Sequence, residues 1–276
     1  MVAWAAGGGR VRRQWSDLAW LEETKHRMET VNVGSRAIPV KLAQRLLNKR
    51  GAEPVVSEGG VFDFRTDAAL RAFQKSKGLP VTHMVEQNTW QQLGLQIEIA
   101  HDVDLIPEVP GLDCWEAAIA MLQRQVPPAI PPVQRTFDGG LVADPGNIWE
   151  LANGLGWDAY QVDRWSLPEM VTLLKRGPIW AAGGGINLRE RFPSGYVVVI
   201  SGLWSDGDHD LSGTLLRFHN PRPTGTGAVY GRLYRGPAVN FDFMPGYFLV
   251  PGENAAAVTP ADGRAPGETS GSTESS

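Results

Sequence analysis

Three stretches between residues 36 and 95 repeat apolar side chains at the spacing of short helices. The first begins at Pro39 and ends at Gly51, because proline favours the first turn of a helix and glycine the position after its end. The second is capped by Thr66 and ends at Gly78. Their inward positions are Val40, Ala43, Leu46, Leu47, Ala69, Leu70, Phe73, Trp90 and Leu93. The pattern predicts a compact three-helix domain over residues 36–95.

A different order of elements follows, with helices first and strands afterwards. Helices are predicted after Cys114, over residues 148–153 up to Gly154, and from Ser166, with Glu169 completing a capping box, to Gly177. Strands are predicted over residues 178–182, 196–204, 214–220, 229–234 and 247–250. A helical lobe followed by an antiparallel sheet is an α+β arrangement, and we place this domain at residues 102–252. Residues 95–110 are predicted as a linker in which His101 is solvated.

Cys114, the only cysteine of the chain, lies at the predicted start of the first of these helices. Asp113 can cap the helix and Glu116 lies three positions after it, as a capping box requires. A thiol on the first turn is close to the positive end of the helix dipole, which favours a thiolate. The alternative is a core cysteine, since free cysteine is among the most buried residue types.

Composition and charge argue against some classes of binding partner. A length of 276 residues suffices for two domains, and a net charge of −4 argues against nucleic acid or an anionic membrane as the main partner. No apolar stretch approaches the ~20 residues that span a bilayer, and the first residues do not read as a signal peptide. We therefore expect no membrane insertion, and a location in the cytoplasm or delivery to the cell envelope by a signal-independent route.

The two ends of the chain and its scattered polar residues give little indication of function. Residues 1–35 are predicted as an N-terminal helical extension and residues 253–276, rich in Gly, Ser, Thr, Ala and Glu, as a disordered tail. The spacing of His, Cys and Asp residues matches no metal-ligand set, so neither a metal nor a cofactor is predicted.

Several segments of the first domain follow a recognisable order. They are VKLAQRLLN at residues 40–48, GVF at 60–62, Thr66 with Ala68 and Ala69, FQ at 73–74, GL at 78–79, and TW at 89–90 with Leu93. Together they resemble the peptidoglycan-binding-like domain, a three-helix module often attached to bacterial cell-wall hydrolases. The resemblance implies binding to peptidoglycan, and packing on a neighbour or on a protein is the alternative. Asp63 and His83 stand where that family tends to have glycine, at positions that often need a positive φ.

Four segments of the second domain carry another resemblance. They are IPEVPGLDCWEAA at residues 106–118, GPIWAA at 177–182, YVVVISGL at 196–203 and HNPRP at 219–223. In this order they are similar to the bacterial papain-like family that includes plant-pathogen effector proteases. The resemblance implies that Cys114 matches the nucleophile and that Asn220 matches the residue that orients the catalytic histidine.

Two catalytic positions depart from that family. Glu108 stands where the family has an oxyanion-stabilising Gln, and losing one such donor typically costs about 10²–10³ in rate. Tyr196 lies near the position of the missing histidine, and its reference pKa of ~10 makes it a poor general base. If Asn220 faces Cys114, the neighbouring His219 faces away, because adjacent strand residues point to opposite faces. His209, in a polar hairpin, is the candidate substitute base.

These features predict a two-domain bacterial protein of the cell wall. The favoured hypothesis is a peptidoglycan-binding or adaptor protein with an inactive papain-like domain, a pseudoenzyme. Its partners would be peptidoglycan or a wall-associated protein, and a contractile or other secretion machine is a further candidate partner. The alternative is an active cysteine peptidase or amidase that acts on peptidoglycan stem peptides or on a protein target, as a secreted effector would.

Overall fold

A computed structural model describes residues 28–162, 166–185, 195–209, 211–233 and 243–252. These residues form six helices and nine strands, and every strand pair is antiparallel. The mixture of helices with antiparallel sheet is the predicted α+β class. Of the predicted N-terminal extension, residues 1–27 lie outside the described residues, and residues 28–35 contain a short strand instead of a helix. The predicted tail at 253–276 also lies outside them.

The first unit is a small helical module. Its helices are α1 (Ile38–Lys49), α2 (Phe64–Ser76) and α3 (Gln87–Leu93), and strand β1 (Val31–Asn32) pairs with β2 (Met84–Val85). The apolar positions predicted from the sequence are buried in one core, as the helical spacing requires.

The cap of α2 differs from the prediction. Asp63 takes the N-cap position, and its carboxylate accepts hydrogen bonds from the Thr66 N–H and from the Thr66 hydroxyl, both at 2.9 Å. Thr66 is therefore buried in the first turn and does not cap the helix. Both residue types favour caps, so the sequence alone did not separate them.

The second unit is built on a seven-stranded antiparallel sheet. Six strands lie in the order β4-β9-β5-β6-β7-β8, and β3 adds to the edge of β6 beyond the end of β5. The strands are β3 (Ile97–Ala100), β4 (Trp157–Val162), β5 (Ile179–Gly185), β6 (Gly195–Ser205), β7 (Thr214–Asn220), β8 (Ala228–Leu233) and β9 (Phe243–Pro251). All five predicted strands are present, and the sequence analysis missed β3 and β4.

Helices cover both faces of the sheet. Helices α4 (Cys114–Gln123) and α5 (Pro145–Leu155) pack with Val197 and Val199 of β6. Helix α6 (Leu167–Arg176) packs with Val198 and Ile200 on the opposite face. Helix α5 runs past the predicted stop at Gly154, because Gly156 supplies the left-handed residue that ends it.

The module contacts the sheet directly. Ile38 of α1 approaches Gly231 of β8, and Trp204 and Leu215 of the sheet lie in the core of the module. The Lys49 ammonium pairs with the fully buried carboxylate of Asp206, with 2.7 Å between Nζ and Oδ2.

The predicted linker is wrong in part. Residues 97–100 are strand β3, paired with residues 202–205, and the His101 ring bonds the Leu174 carbonyl at 2.5 Å. His101 is therefore held against α6 and is half-buried, not a freely solvated linker residue.

Candidate functional site

The Cys114 thiol lies at the N-terminal end of α4, as the sequence predicts. The Asp113 backbone N–H donates to the Glu116 carboxylate at 2.9 Å, and the reciprocal cap completes a capping box. The side chain is only 4% exposed and packs with Trp115 and Val197. Burial raises the pKa of the Cys114 thiol, as do Glu108 and Asp113, against a lowering hydrogen bond to the Val197 backbone and the charge of Arg222. The thiol is thus protonated at neutral pH.

Tyr196 and Asn220 meet at the ends of β6 and β7. Their side chains share a hydrogen bond, and burial raises the pKa of Tyr196 to about 12. Tyr196 also interacts electrostatically with Cys114 and Arg222, so the three sequence-predicted residues Cys114, Tyr196 and Asn220 lie in one neighbourhood. A phenol with this pKa holds its proton throughout the physiological range and cannot act as a general base.

Glu108 is held by a turn that follows β7. Its carboxylate accepts a hydrogen bond from the Arg222 Nε at 2.8 Å and from the Thr224 hydroxyl at 3.1 Å. Two backbone bonds fix the same pairing, from the Glu108 N–H to the Pro221 carbonyl at 2.9 Å and from the Gly225 N–H to the Glu108 carbonyl at 2.7 Å. The Glu108 charge therefore has an ionic partner, which the sequence analysis did not foresee.

Arg222 is the residue of this site that the sequence analysis missed. It follows Asn220 by two positions, its backbone N–H donates to the Asn220 side chain at 2.8 Å, and its guanidinium lies 5.8 Å from the centre of the Tyr196 ring. The only signal in the sequence is its place in the HNPRP segment. The positive charge of Arg222 lowers the pKa of the Cys114 thiol, against the larger effect of burial.

Val197 is the residue of β6 that packs against Cys114, and the next position on the same face towards the start of the strand carries no side chain. Val197 and Val199 pack in the cluster of Cys114, while Val198 and Ile200 pack on the α6 face. Strand alternation continues this pattern back to residue 195, which shares the face of Val197 and is glycine. Tyr196 belongs to the other face, where it packs with the cluster of α6.

The histidine of β7 is paired with Val199 of β6, and directly opposed strand residues share a face, so His219 lies on the side of the sheet that packs against α4. His219 is 5% exposed, and neither ring nitrogen has a hydrogen-bond partner among the described residues. Burial and the charge of Arg217 lower its pKa to about 4, against the opposing charges of Asp102 and Asp104. Cys114 is not among the groups that shift this ring, and His219 is not among those that shift the thiol.

The candidate substitute base lies at the wrong end of the sheet. His209 is in the exposed loop between β6 and β7, beyond Ser205, whereas Tyr196 stands at the opposite end of β6. Nine residues of strand separate Tyr196 from Ser205, or about 30 Å at the usual rise. His209 therefore lies beyond the end of β6 that is opposite to Tyr196.

A hairpin beside α4 forms one wall of the neighbourhood. The Arg135 guanidinium bonds the Glu116 carboxylate at 2.7 Å and lies 4.8 Å from the Trp115 ring, and the Trp115 indole N–H donates to the Gly139 carbonyl at 3.4 Å. Phe137 at the tip of this hairpin is exposed. Among the described residues, no group of three or more His, Cys, Asp or Glu side chains is placed to hold a metal ion.

The module presents a second candidate surface. At the two positions where its sequence lacks glycine, His83 has a φ of 62° and Asp63 a φ of −95°, so only the His83 position has the left-handed backbone. The His83 ring pairs with the Asp67 carboxylate at 2.9 Å, an interaction that stabilises this turn. Arg36, Asp63, Phe64 and Arg65 are exposed beside the N-terminal end of α2.

Comparison with known proteins separates the two units. Searches of curated proteins and of solved structures returned no match. None of the helices in the described ranges has both the length and the apolar character needed to cross a bilayer. Residues 37–93, which contain α1, α2 and α3, match the profile of the family described as "Putative peptidoglycan binding domain".

Proposed function

We propose that this protein is a cell-wall binding or adaptor protein that attaches to peptidoglycan through residues 37–93 and carries a papain-like domain without hydrolytic activity. The observation that carries the proposal is the family match, which covers the whole three-helix core and supports peptidoglycan binding. A fold alone does not fix a ligand, so the match and the binding experiment below must agree.

The environment of Cys114 supports the non-hydrolytic part of the proposal. Cysteine hydrolysis needs a thiolate and a base that returns the proton to the leaving group. Burial raises the pKa of this thiol, position 195 offers no side chain, and Tyr196 keeps its proton. The papain-like assignment itself rests on the resemblance, together with a cysteine at a helix start and an antiparallel sheet that carries Asn220.

The contact between module and sheet supports the adaptor role. Helix α1 lies on β7 and β8, and the Lys41 ammonium donates to the Gly231 carbonyl at 3.4 Å in addition to the Lys49–Asp206 pair. These contacts hold the module in a fixed position on the sheet. Attachment of the module to the wall would therefore fix the orientation of the second domain.

The test is sedimentation with purified, insoluble peptidoglycan, combined with chromatography of released fragments. We expect the intact protein to sediment with the wall and to release no peptides or sugars. Cys114→Ser should sediment equally well, because the thiol lies in the other unit. Release of fragments by the native chain that disappears in Cys114→Ser would establish the peptidase or amidase alternative.

A secretion-machine partner stays a prediction. Neither the described contacts nor the family match bears on it, and pull-down of the intact protein with machine components would test it directly.

A further inference from the structure

Three exposed apolar side chains surround one pair of backbone hydrogen bonds in the module. The Gly34 N–H donates to the Phe62 carbonyl at 2.9 Å, and the Phe62 N–H donates to the Ser35 carbonyl at 3.0 Å. Val33 precedes Gly34, Val61 precedes Phe62, and Phe64 lies two positions later, so the three occupy one region of the surface.

Phe64 has no role in the core. The neighbouring Phe62 fills the core position at 1% exposure, whereas Phe64, the first residue of α2, is 81% exposed. Single exposed apolar residues are ordinary on protein surfaces, but an aromatic ring beside two valines forms a patch of the kind that binds partners.

The sheet restricts where the module can bind the wall. Ile38, Lys41 and Lys49 of α1 are engaged with β8 and with the loop after β6. The side of α1 that meets the sheet is thus unavailable to a polymer as large as the wall, and the ligand must approach a different side.

Two arginines flank the patch. Arg36 and Arg65 are exposed, and within the described residues neither has an ion-pair partner. The carboxylate of Asp63 caps α2, where it accepts from the Thr66 N–H, and that of Asp67 pairs with Arg71 and His83. The patch therefore combines an aromatic platform with cations that can pair with an anionic ligand.

We propose that the glycopeptide of the wall binds at Phe64, with the apolar face of a sugar ring on the aromatic side chain and stem-peptide carboxylates at Arg36 and Arg65. This inference rests on the proposed function, since peptidoglycan supplies both chemistries in one polymer. Val33 and Val61 extend the apolar contact, and exposed Asn32 lies beside them for polar contacts with acetamido or hydroxyl groups.

The experiment measures apparent affinity for purified peptidoglycan by sedimentation. We expect Phe64→Ser to weaken binding about tenfold, which corresponds to partial burial of one aromatic side chain. Phe64→Tyr, which keeps the ring, should bind like the native chain. Phe137→Ser is the matched control, because it removes another exposed phenylalanine, from the hairpin beside α4.

A second arm tests the cations independently. The double variant Arg36→Gln/Arg65→Gln should bind more weakly at low salt and lose most of the dependence on NaCl concentration, since screening acts on exposed charges. Melting temperatures of all variants verify that the fold is retained.

The outcomes distinguish this inference from the proposed function. If the native chain does not sediment with peptidoglycan, both fail. If the native chain sediments and Phe64→Ser and the arginine variant bind equally well, only the assignment of the patch is overturned. A third outcome is that the native chain is a dimer in sedimentation velocity, and that Phe64→Ser makes it a monomer without changing wall binding. The patch would then be a contact between two copies of the chain, and the assignment would equally be overturned.

Discussion

The buried ring of His219 makes the stability of this protein depend on pH in a defined direction. Its pKa is lowered to about 4 in the folded chain, against 6.5 for an ordinary histidine. Between these values the unfolded chain binds a proton that the folded chain does not, so stability falls as pH decreases from 6.5 to 4. The difference of about 2.5 pKa units, at about 1.4 kcal/mol each, amounts to about 3–4 kcal/mol in full, of which about 3 kcal/mol is lost by pH 4, where the folded ring is half protonated.

The substitution that isolates this effect is His219→Leu. It removes the titrating group and also removes two ring nitrogens without hydrogen-bond partners in the described structure, which should stabilise the protein by about 1 kcal/mol at pH 7. At pH 4 the advantage of the variant should grow by about 3 kcal/mol, because burial, and after it the charge of Arg217, disfavours the charged ring in the folded chain.

Urea unfolding followed by tryptophan fluorescence at pH 7, 6, 5 and 4 measures the difference. His209→Asn, in an exposed loop, serves as the control and should stay within about 0.5 kcal/mol of the native protein. An equal difference between His219→Leu and the native chain at pH 7 and at pH 4 would refute the reasoning, because it would mean that burial does not hold the ring neutral.

Three further predictions concern the thiol and the junction of the units. Alkylation of Cys114 by iodoacetamide should be slow at pH 7 and still rising at pH 9, because burial raises the thiol pKa; a rate that levels off below pH 7 would contradict this. Lys49→Met should lower stability by about 3 kcal/mol, since it leaves the Asp206 carboxylate buried without its cation, and Asp206→Asn in the same chain should recover most of the loss in melting temperature. Gly231→Ala should lower the free energy of unfolding by about 1–3 kcal/mol, because its Cβ would lie 2.2 Å from Ile38. Adding Ile38→Ala should relieve the clash. A melting temperature of Gly231→Ala equal to the native value would contradict the contact.

Local chemistry explains which elements could be predicted from the sequence. Each capping box joins two residues that are three positions apart in the sequence. Both are present, one at Asp113 and Glu116 and one at Ser166 and Glu169. Strand β4 was missed although its sequence WDAYQV has the aromatic and β-branched residues typical of strands, because it directly follows the end of a helix. Strand β3 was read as linker because only four residues carry its pattern.

Long-range contacts explain the rest. The partner of Glu108 lies 114 positions away, and no local pattern marks Arg222 as a cation for a carboxylate. The resemblance predicted that Cys114 and Asn220 belong to one site, but it did not reveal that Val197, and not Tyr196, lies on the strand face that packs with the thiol. That distinction depends on strand alternation in a register that only the folded sheet defines.

Strand β3 also determines how this protein can be divided. It follows the module after only Gly94, Leu95 and Gln96, and its pairing with residues 202–205 extends the outer edge of β6 that β5 leaves open. A fragment that begins at residue 102 would expose this length of β6 as an unpaired edge, a surface that favours intermolecular strand pairing. Cutting the chain after β3 would thus yield an aggregation-prone sheet, whereas a fragment that begins ahead of Ile97 would keep the edge covered.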